Sequence, residues 1–519
     1  MYLPIVPISD KRYPGPLALI FVIAFLAQLC LADSAKVEAK PPPVPKWSVD
    51  GQVVPLGESR TVSIAPHEGV SVQSSDPGVV EVEALGGGKF RLTGKSWART
   101  NLLATTSSGV QIPELPVSVK PWSARWGEGP GTLTFYGPVT AKRVERSLDR
   151  WLSARTMIGA EISLEKLESK EEASWNYRVR AVGQGAIPVD SKIAIKVVEQ
   201  PRQGFRPAEV VVLSNHPERI VSDGVLFERQ VSDAPFRFMW HHRNQPGDPD
   251  RYLVLQLTNT APVERRVRLL WFGYGPSPDE IHVGHTAALD YSVAGATGMG
   301  EEMVLPANGT RTMEIRRVKP GQTMSGMAYL ADLSNITAPI GIRVLATSTL
   351  TLPETPASSR DPGRTASGVF PAEIATEYSH LVGGPYTYLE FGGEPYEKDV
   401  TGGHPSYGNF GTVYRASLVL SNPTSVAQEV RIGFASGGGA ARGVLALDGE
   451  LYDLPMGVTG EGLPVRTYRL EAGETRQVDV ELFPQAGSNY PVRVVVSSPY
   501  DRRAEQKIPP LRPFNPSIP

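Results

Sequence analysis

The chain has 519 residues, with 52 Lys and Arg against 54 Asp and Glu and a net charge of −2, an overall balance that gives no electrostatic case for nucleic acid or anionic lipid. A single Cys excludes a disulfide framework, and 51 Gly and 47 Pro among many short Val, Leu and Ile runs point to mainly β structure stabilised by buried apolar area. At about 100–200 residues per domain, the length suits three or four domains.

Lys11 and Arg12 precede an apolar run from Leu17 to Leu31, which closes on Cys30-Leu31-Ala32 ahead of Asp33-Ser34. A charged start, an apolar core of about 15 residues and a small-residue exit predict a secretory signal peptide over 1–32, cut near Ala32. The mature chain is then extracytoplasmic, in the periplasm, on the cell surface or secreted, and has no membrane span. The alternative is an anchor that is never cut, for which the run is short, since a bilayer span takes about 20 residues. Lipidation at Cys30 would want a small residue before it, where Leu29 stands. Residues 33–46, with Pro41-Pro42-Pro43 and Pro45, read as a stiff spacer.

From 47 to 120, short β runs recur at Arg60–Ile64, Val79–Val82, Phe90–Thr93, Leu102–Thr105 and Leu115–Val119, separated by turn signals such as Asp76-Pro77-Gly78 and Gly86-Gly87-Gly88. They predict a small Ig-like sandwich. Pro55-Leu56-Gly57-Glu58, Ser75-Asp76-Pro77-Gly78-Val79-Val80, Leu92-Thr93-Gly94-Lys95 and Thr100-Asn101-Leu102-Leu103 carry a resemblance to the N-terminal domain of pilus-formation proteins and to bacterial Ig-like repeats. Arg99 departs from that pattern where the family has a turn glycine. The secretin channel domain that often follows in the family is absent, so the resemblance does not imply an outer-membrane channel.

Residues 121–204 read as a small α+β module. Val144, Leu148, Trp151 and Leu152 line one helix face with Thr140 as N-cap, the one helix expected after the leader. Strands are expected at Thr132–Tyr136, Tyr177–Val182 and Lys192–Val198, with the charged stretch from Glu165 to Glu172 as a solvated hairpin or helix end.

An internal repeat dominates the remainder. Leu255, Leu257, Asn259, Val263, Val267, Arg268 and Leu269 match Leu418, Leu420, Asn422, Val426, Val430, Arg431 and Ile432 at an offset of 163. Leu305, Ala307, Thr310, Arg311 and Ile315 match Leu470, Ala472, Thr475, Arg476 and Val480 at 165, and Ile342-Arg343-Val344 resembles Val492-Arg493-Val494. The pattern predicts two β-sandwiches, over 205–352 and 372–505, with a Pro-, Ser- and Gly-rich linker at 353–371 and a Pro-rich tail at 506–519. Leu213–Glu218, His241-His242-Arg243-Asn244 and Tyr407–Tyr414 resemble a family of secreted bacterial proteins known only as a domain of unknown function. That resemblance implies no reaction.

Two histidine pairs, His241-His242 and His282-His285, are the weak candidates for a metal; neighbours on a strand point to opposite faces, so at most one of the first pair faces a given site. No Gly-x-Ser-x-Gly elbow or His-Glu-x-x-His helix occurs. No catalytic residue, metal or other cofactor is therefore assigned, and a metal-dependent hydrolase is the least favoured reading. Tyr386, Tyr388, Tyr407, Phe410 and Tyr414 crowd a Gly-rich region and are the candidate binding residues, since exposed rings stack on sugars or dock partners. The competing reading places several of them in the core. The expected function is a non-enzymatic cell-envelope scaffold or interaction protein, with pilus or secretion assembly as the setting that the first resemblance suggests; the alternative is a surface polysaccharide-binding protein.

Overall fold

Alternation of apolar and polar side chains builds the first sandwich of the computed structural model. The structure describes residues 43–168, 174–232, 235–359, 365–457 and 462–498; the expected leader and tail, and most of the spacer, lie outside them. The first strands are β1 (Lys46–Trp47), β2 (Gln52–Pro55), β3 (Ser59–Ala65), β4 (Val70–Ser74), β5 (Val80–Gly86), β6 (Lys89–Gly94), β7 (Arg99–Thr106) and β8 (Gln111–Lys120). Val62 and Ile64, Phe90 and Leu92, Leu102 and Ala104, and Leu115, Val117 and Val119 share one core between sheets β1-β3-β6-β5 and β2-β8-β7-β4. Trp122 ties this module to the next one, its Nε1 donating to Glu58 Oε1 at 2.7 Å.

That second module contains β9 (Thr132–Tyr136), α1 (Ala141–Ser153), β10 (Glu161–Leu167), β11 (Ser174–Val182) and β12 (Val189–Gln200). The Thr140 side chain caps α1 by accepting from the Arg143 amide. Val144, Leu148, Trp151 and Leu152 are buried in a core with Phe135, Tyr177, Val179 and Ile193, as the spacing predicts. Glu165 to Leu167 belong to β10, paired with Asn176 to Arg178 in a hairpin.

The larger sandwich beyond it contains β13 (Val210–Ser214), β14 (Arg219–Ile220), β15 (Gly224–Val231), β16 (Phe236–Asn244), β17 (Arg251–Asn259), β18 (Arg265–Ser277), α2 (Glu280–Thr297), β19 (Gly300–Leu305), β20 (Thr310–Val318), β21 (Thr323–Asp332) and β22 (Ile340–Thr347). One sheet is β15-β22-β17-β20. The other continues across residue 205: Gly300 pairs with Tyr136 and Glu301 with Phe135, joining β19 to β9. The result is an 11-stranded sheet running β10-β11-β12-β9-β19-β18-β21-β16-β13-β23, with β14 beside β16. β23 (Ser367–Pro371) lies within the stretch expected to be a linker. It is held because Val369 enters the sandwich core on one face of the sheet and Phe370 an apolar cluster on the other. Inside the core the Trp240 and Trp271 rings stand 4.8 Å apart. Gly326 makes room for them, since a Cβ there would lie 2.0 Å from the Trp240 ring.

The last sandwich comprises β24 (Glu373–Leu381), β25 (Thr387–Phe391), β26 (Val413–Ser421), β27 (Gln428–Ser436), β28 (Gly443–Leu447), β29 (Glu450–Leu454), β30 (Leu463–Leu470), β31 (Thr475–Leu482) and β32 (Val492–Ser497). Its sheets are β24-β26-β31-β28-β29 and β25-β32-β27-β30.

The repeat is physical as well as textual. Asn259 Nδ2 donates to the carbonyls of Val263 (2.7 Å), Leu305 (3.5 Å) and Pro306 (3.1 Å), while Asn422 Nδ2 donates to those of Val426 (2.8 Å), Leu470 (3.2 Å) and Glu471 (2.9 Å). In each copy the Asn Oδ1 accepts an amide two residues on, from Ala261 or Thr424, at 3.1 Å. Arg268 and Arg431 likewise both reach the carbonyl just ahead of the next equivalent strand, Gly298 at 3.2 Å and Gly462 at 2.9 Å. One match needs correction. β22 pairs with β17, whereas β32 pairs with β27, as β21 pairs with β18; the counterpart of β32 is thus β21, and Ile342-Arg343-Val344 resembles it only because buried strands favour the same residues.

A second correction concerns α2, a helix that the sequence pattern does not announce. Its apolar and small residues form no single stripe because α2 is covered on two sides, by β18 and β21 of one sandwich and by β28 of the next.

Asn259→Ala and Asn422→Ala remove the donor to the Val263 or Val426 carbonyl and the acceptor of the Ala261 or Thr424 amide, and each is expected to destabilise its own sandwich by about 1–3 kcal/mol. Urea unfolding followed by hydrogen exchange in the two modules reads this; loss in only one copy would break the equivalence.

Candidate functional site

Period-two alternation decides which aromatics reach the surface. On the edge strand β25, Leu389 and Phe391 are fully buried, which turns Tyr388 and Glu390 outward. Tyr386 is 61 % exposed and Tyr388 43 %. Glu390 lies opposite Arg493 of β32, and Arg493 Nε and Nη2 both bond Glu390 Oε2 at 3.0 Å. The same guanidinium lies 4.4 Å from the Tyr388 ring centroid. Tyr386, Tyr388, Glu390 and Arg493 therefore form one outward patch, with planar rings beside a paired donor and acceptor. Glu390 is absent from the sequence-based candidates, although the alternation Tyr386, Tyr388, Glu390 contains it.

The other three candidates are packed. Tyr407 is half-buried with its ring 5.4 Å from that of Tyr396. Phe410 is half-buried against Tyr490, at 5.6 Å, in the apolar cluster between the two sandwiches. Tyr414 is buried beside Phe391, at 5.3 Å. Its hydroxyl accepts from Asn409 Nδ2 at 2.7 Å, and burial raises its pKa. Asn409, in the left-handed region at φ 47°, also accepts from the Glu397 amide at 2.8 Å and donates to the Pro395 carbonyl at 3.2 Å. Asn409 thus holds the Tyr414 ring in the core, while Tyr407 and Phe410 keep part of their surface exposed.

The histidines serve separate local networks. His242 lies between the Ser214 hydroxyl and the Pro217 carbonyl, each at 2.8 Å. His285, in α2, bonds Asp453 Oδ1 at 2.7 Å and Gln485 Oε1 at 3.2 Å, joining the two sandwiches. Burial works to raise the Asp453 pKa, but the His285 bond and the Arg442 charge bring it below the ordinary carboxylate range. His282 is exposed in the first turn of α2. His241 is buried with Nδ1 unpartnered. Among the described residues, no three His, Cys, Asp or Glu side chains group as metal ligands do.

No family model and no curated protein matches the chain, so the pilus-domain resemblance stands on its motif residues alone. Among solved structures, it is similar to surface layer protein SbsC, domains 4-9 (TM-score 0.14, 11 % identity, 33 % of this chain and 34 % of that one). Two others are the Clostridium thermocellum CbhA fibronectin(III)-like modules (TM-score 0.16, 13 % identity, 30 % and 95 %) and the M60 catalytic domain with CBM51-1 and CBM51-2 from Clostridium perfringens ZmpB (0.17, 8 %, 87 % and 54 %). The chain spans about a third of the SbsC structure. Likeness at these TM-scores carries nothing of what those proteins do over to this one. The class is read from the strands themselves: a mainly β protein of tandem Ig-like sandwiches, with no described helix long and apolar enough to cross a membrane.

Burial first, then the nearby His242 and Arg243 charges, push the His241 imidazole from 6.5 down to about 3. The unfolded chain takes up that proton below about pH 6.5 while the folded chain does not. This contribution to stability is therefore full above pH 6.5 and is lost toward pH 3 at about 1.4 kcal/mol per unit. His241→Leu is expected to flatten that slope in urea titrations between pH 7 and 4; an unchanged slope would place the titration elsewhere.

Proposed function

We propose that this chain is an exported, non-enzymatic protein of the bacterial cell envelope that works as a scaffold, holding partners on a fixed arrangement of β modules. The observation that carries this reading is the joining of the modules. One sheet runs from β10 to β23 through what would otherwise be separate units, and α2 docks the second sandwich through His285, Asp453 and Gln485. Such contacts suit a body that must present surfaces at set spacings. The leader-like segment and the absence of any cysteine after Cys30 agree with export. The finer assignment, to pilus or secretion assembly, rests on residues 47–120. Crosslinking of tagged protein in intact cells should capture envelope assembly subunits, and deletion of 47–120 should abolish that capture. Capture unchanged by the deletion would remove the pilus connection.

A second reading is favoured by the exposed patch on β25: binding of a surface polysaccharide, with rings stacking on sugar and Glu390 and Arg493 bonding hydroxyls. Tyr386→Ala with Tyr388→Ala is expected to weaken co-sedimentation with purified wall polysaccharide about tenfold, at roughly 0.5–1.5 kcal/mol per ring. Tyr414→Ala should act through stability instead. Polysaccharide retained equally by the double variant would reject the patch.

A further inference from the structure

Where β19 begins, the long sheet opens. β18 pairs with β19 only from Arg265 to Leu269, and then runs on to Ser277 beside β21. β9 leaves at Tyr136, opposite Gly300. Leu270 and Phe272 of β18 thus border a cleft of 440 Å³ whose other walls are α1, α2 and the turn that joins α2 to β19. That volume falls within the range of about 300–1,000 Å³ typical of small-molecule sites.

Two kinds of wall meet there. Phe135, Leu270, Phe272, Val293 and Met299 make one apolar. The other is cationic: Arg143, Arg146 and Arg150 follow one face of α1, beside Lys142, with Arg202 across the opening. The acids in the lining, Asp290 and Glu301, are already engaged. Arg146 Nη2 bonds Asp290 Oδ2 at 3.1 Å. Glu301 pairs with Arg150 and accepts from the Ser147 hydroxyl. Arg143 donates to the carbonyls of Tyr136 (3.0 Å), Gly137 (3.2 Å), Pro138 (2.5 Å) and Gly300 (2.7 Å) and lies 5.1 Å from the Phe135 ring centroid. Lys142 and Arg202 are exposed and have no ion pair among the described residues. Two cationic side chains, Lys142 and Arg202, therefore stand at an apolar cleft without an ion pair among the described residues, beside an Arg143 whose charge is answered in part by Glu301 and Glu199.

A neutral apolar ligand would leave that charge unanswered. A bare inorganic anion would leave the apolar wall wet. We propose that the cleft binds an anionic amphiphile, a molecule with a carboxylate or phosphate head and an apolar body. Its head lies toward Lys142 and Arg202 and its body lies along Phe272, Val293 and Met299. The site is distinct from the β25 patch and stands whether or not the scaffold reading does.

The test is calorimetric titration of the purified full chain with dodecanoate and dodecyl phosphate below their micelle concentrations, beside dodecyltrimethylammonium and inorganic phosphate. The expected result is saturable binding of one anionic amphiphile per chain, little heat from the cationic one, and about tenfold weaker binding by K142Q/R202Q. Both positions are exposed and unpaired, so the variant should keep its circular dichroism spectrum. V293F, which narrows the apolar wall, should weaken dodecyl ligands with the head contacts intact. Binding of both anions supports a shared head site, and binding of one names its head group. Unsaturable binding, equal binding of the cationic amphiphile, inorganic phosphate binding as tightly as dodecyl phosphate, or unchanged affinity in both variants would each overturn the proposal.

Discussion

The close approach of α2 to the second sandwich is the constraint on which the arrangement depends. A side chain at Gly284 would place its Cβ 1.9 Å from the Ala486 carbonyl oxygen, and one at Gly487 would meet the Glu280 carbonyl at 2.2 Å. Helix and loop can touch only because both positions lack a Cβ. Once they touch, Ala288 joins Val444, Phe483 and Ala486 in one apolar cluster with Phe370 and Met239, and Tyr291 sets its ring edge-on to Phe483 at 6.1 Å. Most of the polar groups trapped alongside are paired, as burial demands, although Arg237 Nε has no hydrogen-bond partner among the described residues. His285 takes Asp453 and Gln485, Asp453 also takes Arg442 at 3.1 Å, and the buried Arg237 donates to the Ala372 carbonyl. Asp290 and Val293 of the same helix line the cleft beside α1. The joint between modules and the cleft thus hang on one helix.

The sandwiches themselves depend on a different device. At one end of each core, a carbonyl from the turn between β17 and β18 meets carbonyls from the end of β19, and in the second copy one from the turn between β26 and β27 meets those from the end of β30. A single buried Asn reaches three of them in each copy. That is why Asn259 and Asn422 stand in register while several neighbours differ, Thr260 against Pro423 and Glu264 against Ala427. Polar atoms that cannot reach water fix their position more strictly than apolar ones, which tolerate exchange at similar volume.

Those same facts explain what the sequence made legible. Period-two runs, the α1 face with its Thr140 cap, and the doubled Asn and Arg positions are local or strictly repeated, and they appear where the spacing puts them. α2 carries its apolar and small residues all round, so the stripe that betrays a surface helix is missing. β23 is five residues long in a Pro- and Gly-rich stretch, and its partner β13 lies more than 150 residues earlier. The junction of β9 with β19 rests on two residue pairs, too little to mark a composition. For the binding candidates, clustering in a Gly-rich region was a weaker guide than strand alternation: Tyr386 and Tyr388 are outside, whereas Tyr414 and Phe410 fill packing positions.

The two copies part company at one equivalent point. Between β18 and β19 the first copy inserts α2; between β27 and β30 the second inserts the hairpin of β28 and β29. The rest of the frame resumes with its offset changed only from 163 to 165, so the exchange of a helix for a hairpin is nearly neutral in length. These unlike inserts are the pieces that meet, α2 against β28, with His285 of one bonded to Asp453 of the other. Two identical inserts would offer self-complementary surfaces and invite pairing between chains. A helix facing a hairpin instead favours the contact within one chain, and it leaves the opposite flank of the helix, with Asp290 and Val293, free to wall a site that the second copy cannot build.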